Sequence, residues 1–553
     1  MATGRRFPCI IQSHSTTWHD GGVATLLPDG RIYALASERI GARRKHEWDS
    51  RIAYEYFRTR LTEQQECFGS ETDFFVNVDE ENLAAAQHHL HHAAASFYGS
   101  PFSEAAILVL DGQGPQSGML VSTTMWNGDQ DGIRLIETPY RSRGKFIPHS
   151  LGHFYTAISA LAGMKHLNEE GKIMGLASYG RPSRFLDHFR RYAHSRPDGS
   201  FYIDASFVYA VLGNTLGAAY FGWEQPGAEV QRVWDEIVML RATPMRDVDA
   251  DVTQDDMDIA YAGQAIVEEI ILGLARRARE HTGQRYLCLS GGVALNCSAN
   301  GKLLASGIFD DIYIFPAADD SGQALGKLFY YLHSNQMGVD TRVGSPFLGP
   351  DYTDAEIESA IRNESGIEAV SNNFGETVRR AAQLLAETKV IAWVHGRSEI
   401  GPRALGHRSI LADPRRREMR DYINARVKHR EWYRPVAPAV LEEEVANYFL
   451  IDRPSPFMLF SFQVRPEKAE FIPAVVHIDG SARLQTVSRQ FDERFHQLIG
   501  EFASIAGIPV VVNTSFNSKD EPIVETPQDA VRTFLRINLD ALVLDRFLVV
   551  KRP

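Results

Sequence analysis

An α/β architecture in two domains is predicted by three features of this 553-residue sequence. The chain is too long for one hydrophobic core. Short continuous apolar runs, of the kind that form buried strands, repeatedly end in Asp, Ser or Gly and lead into helical stretches. This pattern then lapses over residues 338–350, where Gly, Pro and polar residues cluster without periodicity, and afterwards starts afresh. A boundary near residue 345 follows, with domains 1–345 and 346–553.

In chain order, the apolar stretches 23–27 and 32–36 flank Pro28-Asp29-Gly30, a turn sequence that predicts a β-hairpin. Residues 81–98 are alanine-rich and free of Gly and Pro, so they predict a helix. The run 105–110 reads as a buried strand ending at Asp111-Gly112, and 285–289 repeats the pattern before Ser290-Gly291-Gly292. Between them Ile259, Ala262, Ile266 and Ile270 recur at helical spacing. In the second domain a helix over 378–385 precedes a buried strand over 390–394, and 508–512 is a strand ending at Asn513-Thr514-Ser515. Residues 181–255 carry few signals. Their Asp247, Asp249, Asp251 and Asp255, with Asp256 and Asp258 just beyond, read as a solvated loop and helix start without EF-hand spacing.

Composition narrows the function. The net charge of −12 and the lack of a Lys/Arg-rich run argue against a nucleic-acid partner. No apolar run reaches the length of a membrane span, and the start Met-Ala-Thr-Gly-Arg-Arg is not followed by a secretory apolar segment. Four cysteines make no disulfide framework, and Cys288 lies in an apolar run expected to be buried. A soluble, cytoplasmic and reducing setting is expected.

Three constellations carry chemistry. His88 and His92 stand four apart on the predicted helix, so both imidazoles leave one face and can share an ion. Asp111, and Asp319 or Asp320, are suitable further donors. Such a set suits Fe, Mn or Zn rather than Mg, although a His-rich helix alone also fits a wet surface. The second constellation is a group of glycine loops: Ser290-Gly291-Gly292 before a helix containing Asn296, Gly171 to Leu176 with Lys172 inside, and Asp320 to Gly326. Glycine lets backbone approach a ligand, and a helix N-terminus offers N–H groups to phosphate. No Walker A motif is present. The third lies in the second domain, where Arg403, Lys428, Arg430, Arg434, Arg483 and the Asn513–Asn517 group offer cations and a hydroxyl near strand ends, as a phosphate site requires. On charge alone these also fit scattered surface cations.

In order along nearly the whole chain, His19-Asp20, His88–Ala93, Leu110-Asp111-Gly112, Gly171–Gly175, Leu289–Asn296, Asp320–Gly326, Gly401–Leu411, Lys428–Pro438 and Asn513–Asn517 resemble the NodU/TobZ family of O-carbamoyltransferases. The resemblance implies an actin-like (ASKHA) first domain and a YrdC-like second domain. It also implies ATP, with its Mg2+, and carbamoyl phosphate as substrates, a carbamoyl-adenylate intermediate, and a small hydroxylated metabolite as acceptor. By the same resemblance His88, His92, Asp111 and Asp320 hold an iron-like metal, while Lys172 and the loop with Ser290, Gly291, Gly292 and Asn296 hold the adenylate. Arg403, Lys428, Arg434, Arg483, Asn513 and Ser515 serve ATP and carbamoyl phosphate, and His19 is placed as general base beside the acceptor hydroxyl. Two departures, Pro28 in the hairpin turn and Ser37-Glu38-Arg39 in place of a more acidic triplet, leave the proposed chemistry untouched. A threonylcarbamoyl-type tRNA-modifying enzyme shares both folds, but it needs a basic surface. The acceptor, the metal and the oligomeric state, a homodimer among the options, stay open.

Overall fold

The computed structural model describes residues 10–16, 20–27, 29–40, 43, 45, 49–63, 75–77, 87–164, 169–217, 227–246, 250–451, 453–519 and 521–552. By spatial proximity the chain divides into two compact units. One comprises Met1–Asp79, Asp320–Leu328 and Val343–Pro553, the other Glu80–Asp319 and Phe329–Arg342. Both are α/β, as the sequence predicts.

The unit Glu80–Asp319 is built on a six-stranded mixed sheet. Its order runs Asp311–Ile314, Tyr286–Ser290, Ala105–Gln116, Met119–Asp129, Gly132–Glu137, and Arg141–Ser142 also pairs with Met119–Asp129. Tyr286–Ser290 is parallel to both neighbours, which explains its buried, unalternating sequence. The strand expected to stop at Asp111 runs on to Gln116. Its register shifts between Leu110 and Gly114, so residues 111–113 bulge out of the ladder. A bulge turns side chains away from the sheet, and here it aims Asp111. Of the expected glycine loops, Gly171 to Leu176 lies in the helix Gly171–Ala177, and Asp320 to Gly326 is the short turn Asp320–Gly322 followed by the helix Gln323–Ser334, since glycine lowers helix propensity without forbidding it. The predicted helix over 81–98 is described from His88 to Tyr98.

Residues 181–255 also differ from the expected solvated loop. They hold the helices Arg184–Arg190, Ala205–Leu212 and Ala228–Leu240 and a small hairpin, Ala193–Ser195 with Phe201–Ile203. The helix Gln254–Thr282 opens with a capping box in which Thr253 and Asp256 bond each other's backbone N–H. Asp256 is buried against Arg241 at 2.6 Å, and Asp255 accepts from the N–H groups of Ala242 (2.6 Å) and Thr243 (2.9 Å). Distant arginines and backbone amides make these charges affordable in the interior. Asp247 and Asp249 lie outside the described residues.

The other unit centres on an eight-stranded sheet, ordered Ile367–Ser371, Phe547–Lys551, Ala541–Leu544, Ile391–Val394, Arg408–Ala412, Val510–Ser515, Ala437–Leu441, Gln485–Val487. Its helices Phe374–Ala386 and Glu493–Ala506 bury Val378, Leu385, Phe495 and Phe502 in a core with Trp393, Ile410 and Val511. The strand expected over 508–512 extends through Asn513-Thr514-Ser515, which pair with Leu411, Ile410 and Ser409. The N-terminal hairpin Gly21–Leu26 with Ile32–Ala36 forms as predicted, in a four-stranded sheet of this unit. Arg39, in the turn that follows, donates to the carbonyls of Glu399 (2.5 Å) and Gly401 (2.8 Å).

Candidate active site

The first centre is assembled by one helix turn and one bulge. His88 and His92 are buried, and their rings stand edge to face at 4.8 Å. Asp111 Oδ2 lies 3.1 Å from His88 Nε2 and 4.0 Å from His92 Nε2. The donor atoms of the three residues fall within 4.8 Å of one another. Neighbours orient two of the three side chains, as outer partners do in metal sites: Gly292 N donates to Asp111 Oδ1 at 3.2 Å, and Ser290 Oγ meets His92 Nδ1 at 3.2 Å. His89 is turned away to Thr124 Oγ1 at 2.9 Å. Two glycines make the packing feasible. Gly291 has φ +89°, and a Cβ there would lie 2.3 Å from the Leu110 carbonyl oxygen. At Gly114 an added Cβ would lie 2.1 Å from His88 Cδ2, so the imidazole rests directly on backbone.

Two imidazoles and a carboxylate fit an Fe-, Mn- or Zn-type ion. Asp320, also buried, begins the short turn Asp320–Gly322 in the other unit. Asn296 caps the helix Cys297–Ala305 through Ala299 N (3.1 Å) and exchanges hydrogen bonds with Gln264 at 3.0 Å. Lys172 pairs with Glu169. His19 lies outside the described residues. Cys288 is buried as expected, and burial pushes its thiol up to about 12, which makes it inert.

The second centre gathers cations. Lys428 follows the π-helical turn Ile423–Val427 and is buried. Its ammonium donates to the carbonyls of Ser515 (2.8 Å) and Asn517 (2.9 Å), to Ser515 Oγ (3.3 Å) and to Asn517 Oδ1. Burial first, then Arg430, Lys45 and Arg434, push this ammonium well below the usual lysine range, against a smaller opposing pull from Glu521. Arg430 is pushed down to about 9 by burial, Arg434 and Arg483. Lys428, Arg430, Arg434 and Arg483 therefore share one electrostatic neighbourhood, in which Lys428 is buried and the three arginines are partly exposed.

Asn513 lies beneath as scaffold, donating to Gln485 Oε1 (2.7 Å) and the Ala404 carbonyl (3.3 Å). Arg403 sits in the loop between Val394 and Arg408, whose fold is fixed by Glu399 Oε1 accepting from Leu405 N at 2.6 Å. Sequence reasoning placed Arg430 and Asn517 in the second-domain anion group, and gave no site role to Arg39. Nor did it find Glu525, fully buried 3.5 Å from the Arg408 guanidinium. The lone charge of Glu525 between Ile523-Val524 and Thr526-Pro527 was the available signal.

Family models match both parts of the chain, carbamoyltransferase N-terminus over residues 50–328 and carbamoyltransferase C-terminus over 382–551. The chain belongs to the carbamoyltransferase family. An uncharacterized protein of Synechocystis sp. is 37% identical over 84% of this chain and 76% of its own length. Nodulation protein NolO of Bradyrhizobium diazoefficiens is 37% identical over 84% of this chain and 79% of its own. Among solved structures, full-length HypF in its phosphate- and nucleotide-bound form is 14% identical, with a TM-score of 0.34 over 61% of this chain and 57% of that one. This carbamoyltransferase is thus an enzyme that moves a carbamoyl group to an acceptor. Among its described residues, no helix is long and apolar enough to cross a membrane.

Proposed function

We propose that this carbamoyltransferase is ATP-dependent, activates carbamoyl phosphate as carbamoyl-adenylate, and carbamoylates a hydroxyl of a specialised metabolite such as an antibiotic or a sugar-containing product. The cation group around the buried Lys428 carries this reading, because a desolvated lysine beside three arginines suits phosphates. On this reading residues 346–553 form the adenylate and residues 1–345 consume it. Water hydrolyses carbamoyl phosphate to carbamate and phosphate, a carbamate oxygen attacks the α-phosphorus of ATP, and pyrophosphate departs. Lys428, Arg403, Arg434 and Arg483 neutralise the charge developing on the phosphate oxygens, and Ser515 and Asn517 fix the ammonium in position.

Transfer follows at His88, His92 and Asp111, with Asp320 as the carboxylate the family resemblance adds. These residues would hold an iron-type metal, which would supply Lewis-acid polarisation. Ser290 and Gly292 keep its ligands oriented, and Lys172 and Asn296 are assigned to the adenylate. The acceptor oxygen attacks the carbamoyl carbon, AMP leaves, and His19 takes the hydroxyl proton.

The test is pyrophosphate release from ATP by the purified chain. Release that requires carbamoyl phosphate and disappears in Lys428→Ala supports adenylate formation. A Lys428→Ala chain that releases pyrophosphate at the parent rate overturns it.

A further inference from the structure

A second His/Asp group lies in the Val343–Pro553 part of the chain and takes no part in the chemistry above. His395 follows the strand Ile391–Val394, His407 precedes Arg408–Ala412, and Asp492 caps the helix Glu493–Ala506. All three are more than nine-tenths buried, at 5%, 8% and 6% exposure. Asp492 Oδ1 accepts from Phe495 N at 3.0 Å, which turns Oδ2 towards the two rings. Asp492 Oδ2 lies 3.2 Å from His407 Nε2 and 3.4 Å from His395 Nε2, and the donor atoms of all three residues are within 4.8 Å of one another.

The tautomer of His407 is fixed from its far side. His407 Nδ1 lies 2.6 Å from the Arg397 carbonyl oxygen, an acceptor, so Nδ1 carries a proton. In the neutral ring Nε2 then presents a lone pair to a carboxylate oxygen. Two lone pairs do not face each other in a dry interior unless a cation lies between them. A proton is one such cation. It would need an N–H aimed at the oxygen, yet among the described residues neither Asp492 Oδ2 nor His395 Nε2, both buried, has a hydrogen-bond partner. A metal ion is the other. Four donors placed tetrahedrally at zinc distances stand about 3.3 Å apart, which matches both separations. Phe347 stacks on the His407 ring at 3.4 Å, with an interplanar angle of 8°, and prevents the ring from turning away. An Nδ1–H held by a backbone carbonyl is also the usual outer support of a zinc-binding histidine.

We propose that His395 Nε2, His407 Nε2 and Asp492 Oδ2 bind a divalent zinc-type cation. The position decides its role. Val394 and Arg408 are paired across the sheet, so the loop bearing Arg403 leaves and re-enters at one point, and His395 and His407 stand at its two ends. The ion fastens both ends to the first turn of the helix Glu493–Ala506, and the three residues act as positioning residues for Arg403. The cation site stands without the function proposed above, while its positioning of Arg403 rests on that reading.

Cobalt replaces zinc in tetrahedral sites and reports its geometry by strong visible absorption, so the probe is Co2+ titrated into the full chain. The expected result is one equivalent giving the tetrahedral band in the parent and in His92→Ala, and no such band in a folded His407→Asn chain. A folded His407→Asn chain with the parent's band and stoichiometry overturns the proposal. So does a His92→Ala chain that shows no tetrahedral band, and that arm decides the matter if His407→Asn fails to fold.

Discussion

The centre at His88 and the centre at Lys428 are electrostatic opposites. Around His88 the chain gathers lone pairs: two imidazoles, a carboxylate, and a backbone N–H that steadies the carboxylate without neutralising it. Around Lys428 it gathers positive charge, and among the described residues the hydrogen-bond acceptors of the ammonium are neutral oxygens. Hydrogen bonds satisfy the geometry of Lys428 while its charge stays uncompensated by its close partners. On the function proposed above, the sign of the charge gathered at each buried polar cluster names its ligand: a cation for the first centre and a phosphate-type anion for the second.

The most severe way to break this contrast is at Lys428. Lys428→Ala is expected to lower carbamoyl-phosphate-dependent pyrophosphate release by about 100- to 1000-fold. Lys428→Arg should restore little of it, because a planar guanidinium does not fit the compact set of oxygens that holds the ammonium. Next comes Asp111→Asn. Metal affinity, measured by competition with a chelator, should fall by at least ~100-fold, while pyrophosphate release stays at the parent rate. Equal loss of both would show that the two centres do not divide the reaction. A milder change is Ser290→Ala, which keeps every ligand and removes a hydroxyl beside His92. About 10-fold weaker metal binding is expected.

The smallest effect is in protons. Burial and neighbouring cations lower the Lys428 pKa in the folded chain. Between that lowered value and the ordinary lysine value the unfolded chain binds more protons, so stability rises with pH across the window. An arriving anion favours the ammonium and returns the pKa upward, so phosphate binding takes up protons. Calorimetric titration with phosphate in two buffers of different ionisation heat reads the uptake directly. Proton release on binding would contradict the assignment of Lys428 as the charge that meets the anion.

Legibility in the sequence follows the range of the interactions. The strand beginning at Ala105 and the His88/His92 pair were readable because continuous burial and an i,i+4 spacing are local patterns. The bulge beyond Leu110 was not, since Asp-Gly-Gln-Gly looks like a turn and only the partner strand reveals that pairing resumes at Gly114. Asp255 and Asp256 read as solvated because their partners Arg184 and Arg241 stand 71 and 15 residues away. Arg430 is indistinguishable by sequence from any surface arginine, and its burial is a property of the assembled sheet end. His395 and Asp492 are nearly a hundred residues apart, so no motif could join them.

Gly114 carries a different kind of information. Catalytic motifs are usually searched for as the atoms that react, yet here a methyl group's worth of omitted matter sets the attitude of an imidazole. The position of His88 is written partly in a residue that donates nothing and accepts nothing with its side chain. A comparison of carbamoyltransferases that scores only histidines and aspartates would pass over it. Any enlargement at 114 would displace the His88 imidazole while leaving His88, His92 and Asp111 themselves unchanged.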